Sequence, residues 1–64
     1  MNDKTITINV ELPESDATAL AQFCKRVGWS EFRQNASSDE EAYSIQSGTG
    51  ALQEALARRG FNPR

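Results

Sequence analysis

The predicted fold depends first on an alternating stretch near the start of the chain, Thr5-Ile6-Thr7-Ile8-Asn9-Val10-Glu11-Leu12. Alternation of polar and apolar residues places every second side chain on one face of a β-strand, and β-branched residues are common in strands. We therefore predict a strand over residues 4 to 12 with four apolar side chains on one face. These are Ile6, Ile8, Val10 and Leu12.

A single strand needs a partner, because its backbone N–H and C=O groups require a ladder and its apolar face requires a core. Three sources are open: a second copy of the chain, another protein, or a weaker strand near Tyr43. Binding to a partner is therefore the predicted role of the chain, and a homodimer through the N-terminal strand is one form of it.

The composition is that of one small domain, residues 1 to 64, of a size that buries only about 60% of its unfolded surface. Seven basic and nine acidic residues give a net charge of -2, which argues against sequence-independent attraction to nucleic-acid phosphates. Cys24 is the single cysteine, so no intrachain disulfide can form, and neither a signal peptide nor an apolar run of about 18 residues is apparent. We expect a soluble, cytoplasmic protein without a membrane partner.

A first long helix is predicted from residue 13 to residue 27. Pro13 suits the first position of a helix, and the acidic residues Glu14 and Asp16 in the first turn complement the helix dipole. Apolar residues then recur at the spacing of one buried helical face. Gly28 is predicted to end this helix in the left-handed conformation.

A second long helix is predicted to begin at residue 39, because Ser38 followed by Glu41 has the form of a capping box. Two interpretations of its continuation stay open, since Gly48 and Gly50 each cost about 1 kcal/mol relative to alanine inside a helix. Residues 42 to 46 either continue the helix or form a short strand that ends at a glycine-containing turn. The capping box favours the helix.

The remaining segments complete an α+β fold. The segment from Trp29 to Ala36 is interpreted as a short helical turn, with an ordered loop as the open alternative. Residues 51 to 59 are helical under both interpretations of the preceding segment, with Gly60 as the C-terminal stop. The predicted fold class is thus α+β: one N-terminal β-strand followed by two main α-helices, with a second short strand at 42 to 46 as the open alternative.

Catalytic and metal-binding groups are not apparent in the sequence. The chain contains no histidine, and Cys24 falls on the apolar face of the first predicted helix. Asp39, Glu40 and Glu41 are adjacent, but successive helical residues point about 100° apart and do not converge on one ion. We predict that the chain is not an enzyme and needs neither a metal nor another cofactor.

The order of a strand, Leu-Pro-Glu, an amphipathic helix, a glycine and a serine-capped segment resembles the opening of ribbon-helix-helix DNA-binding proteins. This resemblance covers Lys4 to about Ala36 and is carried by Thr5-Ile6-Thr7-Ile8-Asn9-Val10-Glu11-Leu12-Pro13-Glu14 and Gly28-Trp29-Ser30-Glu31-Phe32-Arg33. In that family two copies pair their strands into a ribbon that enters the major groove. The resemblance implies that polar residues of the strand would contact DNA, namely Lys4, Thr5, Thr7 and Asn9.

A second resemblance, to short uncharacterised bacterial and mobile-element proteins, spans most of the chain. It is carried by Ala19-Leu20-Ala21-Gln22-Phe23, Lys25-Arg26-Val27-Gly28 and Asp39-Glu40-Glu41-Ala42-Tyr43. The resemblance itself implies no known activity. By analogy of size and charge alone, small acidic proteins of phages and mobile elements suggest an inhibitor of a larger host complex that handles nucleic acid in defence, similar to anti-CRISPR proteins.

The function favoured from the sequence is a non-enzymatic, acidic protein-binding module whose partner is such a larger host complex. Trp29 and Phe32 are predicted to anchor the contact. Acidic residues are predicted to face basic surfaces on the partner, and these are Glu14, Asp16, Asp39, Glu40 and Glu41. The alternative function is a dimeric ribbon-helix-helix regulator or antitoxin that binds DNA.

Overall fold

The computed structural model describes residues 4 to 62 and folds them into three α-helices. They are α1 (Glu14–Arg26), α2 (Trp29–Gln34) and α3 (Asp39–Arg58). The longest helix, α3, packs against both α1 and α2, whereas α1 and α2 do not pack against each other. The position of every other element is therefore set by α3.

The α+β prediction is wrong, because no β-strand is present among residues 4 to 62. Residues 4 to 12 have no regular secondary structure, and no backbone–backbone hydrogen bond joins them to the rest of the described chain. Alternation suits a strand, but a strand forms only where a neighbour completes its ladder. The one internal candidate, residues 42 to 46, lies inside α3, so the N-terminal strand has nothing to pair with in the single chain.

The first long helix is confirmed to within one residue at each end. Pro13 immediately precedes it, and the Pro13 carbonyl accepts a hydrogen bond from the N–H of Ala17 at 3.0 Å. The helix ends because Val27 turns to an extended conformation. Gly28 is also extended (φ -128°, ψ -175°), so the predicted left-handed stop is wrong at this position.

Both later helices begin with local caps. In α2 the backbone N–H of Gly28 donates to Glu31 Oε1 at 2.7 Å, and in α3 the Ser38 Oγ accepts from the N–H of Glu41 at 3.1 Å. These bonds satisfy N–H groups that have no partner inside a helix. The start of the second long helix at residue 39, and the short helical turn before it, are confirmed.

The core lies between α1 and α3 and is small. Ala17, Ala21 and Leu56 form its buried cluster, and Leu20 and Phe61 pack against this cluster. The other buried hydrophobic side chains among the described residues are Cys24, Phe32 and Ala42. Because alanines make up half of the buried hydrophobic residues, the helices approach closely but bury little apolar area.

The end of α3 closes this core through a Schellman motif. Gly60 has a φ of +94°, which an L side chain adopts only with strain, and its N–H donates to the Ala57 carbonyl at 2.9 Å. The N–H of Phe61 donates to the Leu56 carbonyl at 2.9 Å. The predicted stop at Gly60 is confirmed, and the turn places the Phe61 ring against the core.

Two glycines in the middle of α3 do not interrupt it. A Cβ atom added at Gly48 or Gly50 would meet nothing within 4 Å, so neither glycine is required by close packing. We expect Gly48→Ala and Gly50→Ala each to raise the free energy of unfolding by about 1 kcal/mol. Urea denaturation followed by far-UV circular dichroism measures the change.

The neighbouring exposed residue of the same helix supplies the control for this prediction. Ala51→Gly introduces a third glycine and is expected to lower the free energy of unfolding by about the amount that each alanine raises it. If the alanine variants left the stability unchanged, α3 would not be a continuous helix through residues 48 to 50.

Candidate functional site

An aromatic pair lies on the surface where α2 meets α3, and we define it as Trp29 and Tyr43. Trp29 is the first residue of α2, and Tyr43 lies in the second turn of α3. Their ring centroids are 4.7 Å apart, and the ring planes are inclined by 40°. Trp29 is 39% exposed and Tyr43 is 61% exposed. The packing of α2 on α3 therefore presents two adjoining aromatic rings to solvent.

Only one of the two predicted anchor residues is available on the surface. Phe32 is 7% exposed and belongs to the buried residues, so its ring offers almost no surface to a partner. Tyr43 stands beside Trp29 instead, and the sequence did not single it out as a binding residue. The sequence feature that could have indicated the exposure of Tyr43 is its position directly after Ala42. Ala42 is fully buried, and the following residue of a helix points about 100° away from it.

An ion pair ties the end of α2 to the start of α3. Arg33 Nε lies 2.6 Å from Asp39 Oδ1, and a second guanidinium nitrogen of Arg33 donates to the Ala36 carbonyl at 3.2 Å. Both charged side chains are exposed, so the pair contributes little to stability. Its effect is geometric: it restrains the connection that holds the two rings together, and it partly neutralises Asp39.

The next two carboxylates of α3 differ in their surroundings. The backbone N–H of Ser37 donates to Glu41 Oε1, and the hydrogen bonds from Ser37 lower the pKa of Glu41 below its usual value. Glu41 is thus occupied in capping the helix. Glu40 is exposed, and no ion pair within residues 4 to 62 involves it. Since Glu40 precedes Tyr43 by three residues, the two side chains share one side of α3.

The acidic start of α1 lies elsewhere. Glu14 and Asp16 are exposed in its first turn, while Trp29 follows its opposite end. The thirteen residues of α1 separate these ends by about 18 Å along the axis, at 1.5 Å per residue. The predicted acidic residues therefore form two groups, and the structure brings only the group of α3 near the aromatic pair.

The residues of the predicted DNA contact are all exposed, but not in the predicted geometry. Lys4, Thr5, Thr7 and Asn9 lie in the irregular segment before α1. Without a strand they do not share a strand face, and the ribbon that would carry them into a groove is not formed by the described chain.

Three further features bear on catalysis and ligand binding, namely a thiol, the metal-ligating side chains and a surface depression. Cys24 is buried, and this burial raises the pKa of its thiol, which disfavours the reactive thiolate. No set of three metal-ligating side chains comes together within the described range 4 to 62. A shallow depression of about 180 Å³ is smaller than the roughly 300–1,000 Å³ of typical ligand pockets. Its lining has no charged residue: Thr18, Ala21, Gln22, Gly60, Phe61 and Asn62.

Among the described helices, none has the length together with the apolar character that crossing a bilayer requires.

In the comparison with protein families, a family model matches the chain over residues 1–64. The chain belongs to this family, described as a family of unknown function (DUF7706). Neither the curated proteins nor the solved structures contain a significant match. Membership of DUF7706 agrees with the resemblance to uncharacterised small proteins, and it carries no information on the ribbon-helix-helix resemblance or on the origin of the chain.

Proposed function

We propose that this DUF7706 chain is a non-enzymatic protein-binding module and that the aromatic pair is the centre of its contact with a partner protein. The observation that carries the proposal is the exposure of two adjoining rings, Trp29 and Tyr43, at the junction of two packed helices. Tryptophan and tyrosine are enriched among the residues that dominate binding energy at protein interfaces.

The pair is suited to binding because it is already ordered. Each ring rests on the other, and the Arg33–Asp39 ion pair and the Ser38 cap hold the connection between the two helices. Binding then orders few additional side chains, which lowers the entropic cost of association. An aromatic side chain also has only two rotatable bonds and contributes a large apolar area.

Charge indicates the kind of partner surface. Glu40 is exposed on the same side of α3 as Tyr43, and the whole chain carries a net charge of -2. A complementary surface would combine an apolar pocket for the rings with basic residues around it. Proteins that handle nucleic acid have basic surfaces of this kind. That the partner is a host defence complex, and the chain its inhibitor, stays a prediction.

A photo-crosslinking experiment tests the proposal. A photoreactive phenylalanine analogue replaces Tyr43 in cells that naturally produce the chain, and the crosslinked products are identified by mass spectrometry. We expect one discrete protein to be crosslinked from this position. The matched control places the same analogue at Phe23, which is 58% exposed on α1 and is not a member of the aromatic pair. Equal products from both positions, or none from Tyr43, would contradict the proposal.

A further inference from the structure

The single chain exposes far more surface than a folded monomer of its mass. The accessible area is 5578 Å² for a mass of 7.1 kDa. Folded monomers of this mass expose about 4,100 Å², so the excess is about 1,500 Å². The radius of gyration of 12.7 Å also exceeds the roughly 10.7 Å that 64 residues need as a compact domain.

Four of the eight large hydrophobic residues that are exposed in the described part of the chain lie in the N-terminal segment, which we define as residues 4 to 12. Its four apolar side chains are Ile6, Ile8, Val10 and Leu12, and they are 84%, 72%, 67% and 40% exposed. All four belong to the exposed residues, and no backbone–backbone hydrogen bond joins the segment to the rest of the described chain. We call these four side chains, which recur at every second residue of the sequence, the apolar row. Several exposed large aliphatic side chains in so short a segment are unusual for a soluble monomer and are characteristic of an interaction surface.

We propose that a second copy of the chain covers this row, so that the protein is a homodimer whose contact is made by the N-terminal segments of both copies. Area supports a second copy as the occupant, because the excess over the whole chain, about 1,500 Å² per copy, exceeds the roughly 800 Å² that a standard interface buries on each partner. The small alanine-rich core gives an independent reason, since domains of this size are marginal alone and association supplies the missing burial.

The charges of the segment are also self-complementary. Lys4 lies at one end and Glu11 near the other. In a two-fold symmetric contact the same surface is used twice, and two segments that cross the axis run in opposite directions. Lys4 of one copy then lies toward Glu11 of the other, and like charges are kept apart. This proposal concerns different residues from the aromatic pair and goes beyond the proposed function.

Solution mass tests the proposal. Light scattering over a dilution series to low micromolar concentration is expected to give twice the chain mass of 7.1 kDa for the unmodified protein. Ile8→Asp places a charge in the apolar row and is expected to weaken the dimer at least tenfold. Thr7→Asp adds the same charge at the adjacent polar position and is expected to leave the mass nearly unchanged. A monomer for the unmodified protein, or equal effects of the two substitutions, would overturn the proposal.

A crosslinking measurement keeps the test decisive if Ile8→Asp unfolds. In a Cys24→Ala background, Ile8→Cys places a thiol near the middle of the segment, where two copies meet, and mild oxidation is expected to give a linked dimer. Ser47→Cys, an exposed position of α3, is the control and is expected to stay largely unlinked. Equal linking at the two positions would overturn the proposal. A monomer that is still crosslinked from Tyr43 would overturn the homodimer alone and leave the protein-binding function intact.

Discussion

Replacing Leu56 with alanine is expected to lower the free energy of unfolding by about 2–5 kcal/mol. Leu56 is 8% exposed, and the residues with which it forms the buried cluster, Ala17 and Ala21, are small. The substitution would therefore remove the one large buried side chain of this cluster and leave a cavity beside Leu20 and Phe61. A core of this size rarely supplies more than about 3–5 kcal/mol, so the variant is expected to be largely unfolded at 25 °C.

The matched control for this experiment is Leu52→Ala, one helical turn earlier on α3. Leu52 is 40% exposed, so the same chemical change removes less buried area and is expected to cost below about 1 kcal/mol. Far-UV circular dichroism and urea denaturation of the two variants provide the comparison. Equal losses of stability would mean that the α1–α3 contact is not the core of the domain.

The helices were predictable because their signals are local. A capping box needs only Ser38 and Glu41, and a C-terminal stop needs only Gly60 followed by an apolar residue. Each signal acts within one turn of the helix that it bounds, so tertiary structure is not needed to interpret it. The helix between these two signals continues through Gly48 and Gly50. The two glycines together cost about 2 kcal/mol of helix propensity, and the packing of α3 on both other helices offsets this cost.

The N-terminal segment was not predictable in the same way. The alternation of polar and apolar residues predicts which side chains would share a face if a strand formed. The strand itself depends on a neighbouring strand, which the local sequence does not specify. The alternating residues Ile6 to Leu12 therefore indicated an apolar surface correctly and a β-strand incorrectly.

The candidate site was predictable only in part, for a related reason. Two of the three aromatic residues concerned, Trp29 and Phe32, lie on α2, and the third, Tyr43, lies on α3. The orientation of α2 on α3 decides which of their rings are buried. This orientation is a tertiary property. The sequence therefore indicated that the surface is aromatic, and it identified Trp29 but not Tyr43 as a member of the aromatic pair.

Trp29→Ala is expected to weaken binding to the partner identified from Tyr43 by at least about 30-fold, which corresponds to about 2 kcal/mol. The substitution removes the larger ring of the pair and also leaves Tyr43 without the neighbour that orders it. Isothermal titration calorimetry with the purified partner measures the dissociation constant, and circular dichroism verifies that α2 and α3 stay folded.

Two further variants separate the aromatic pair from general loss of apolar surface. Phe23→Ala removes from α1 an aromatic ring that is about as exposed as Tyr43. It is expected to change the affinity less than about threefold, because residues outside the centre of an interface contribute little. Trp29→Phe retains an aromatic ring against Tyr43 and is expected to recover part of the affinity. If Phe23→Ala weakened binding as much as Trp29→Ala, the contact would centre on α1 and the assignment of the aromatic pair would be wrong. If neither Trp29→Ala nor Phe23→Ala changed the affinity, the two aromatic rings would have no role in the complex. Removal of a residue at the centre of an interface must change the free energy of binding.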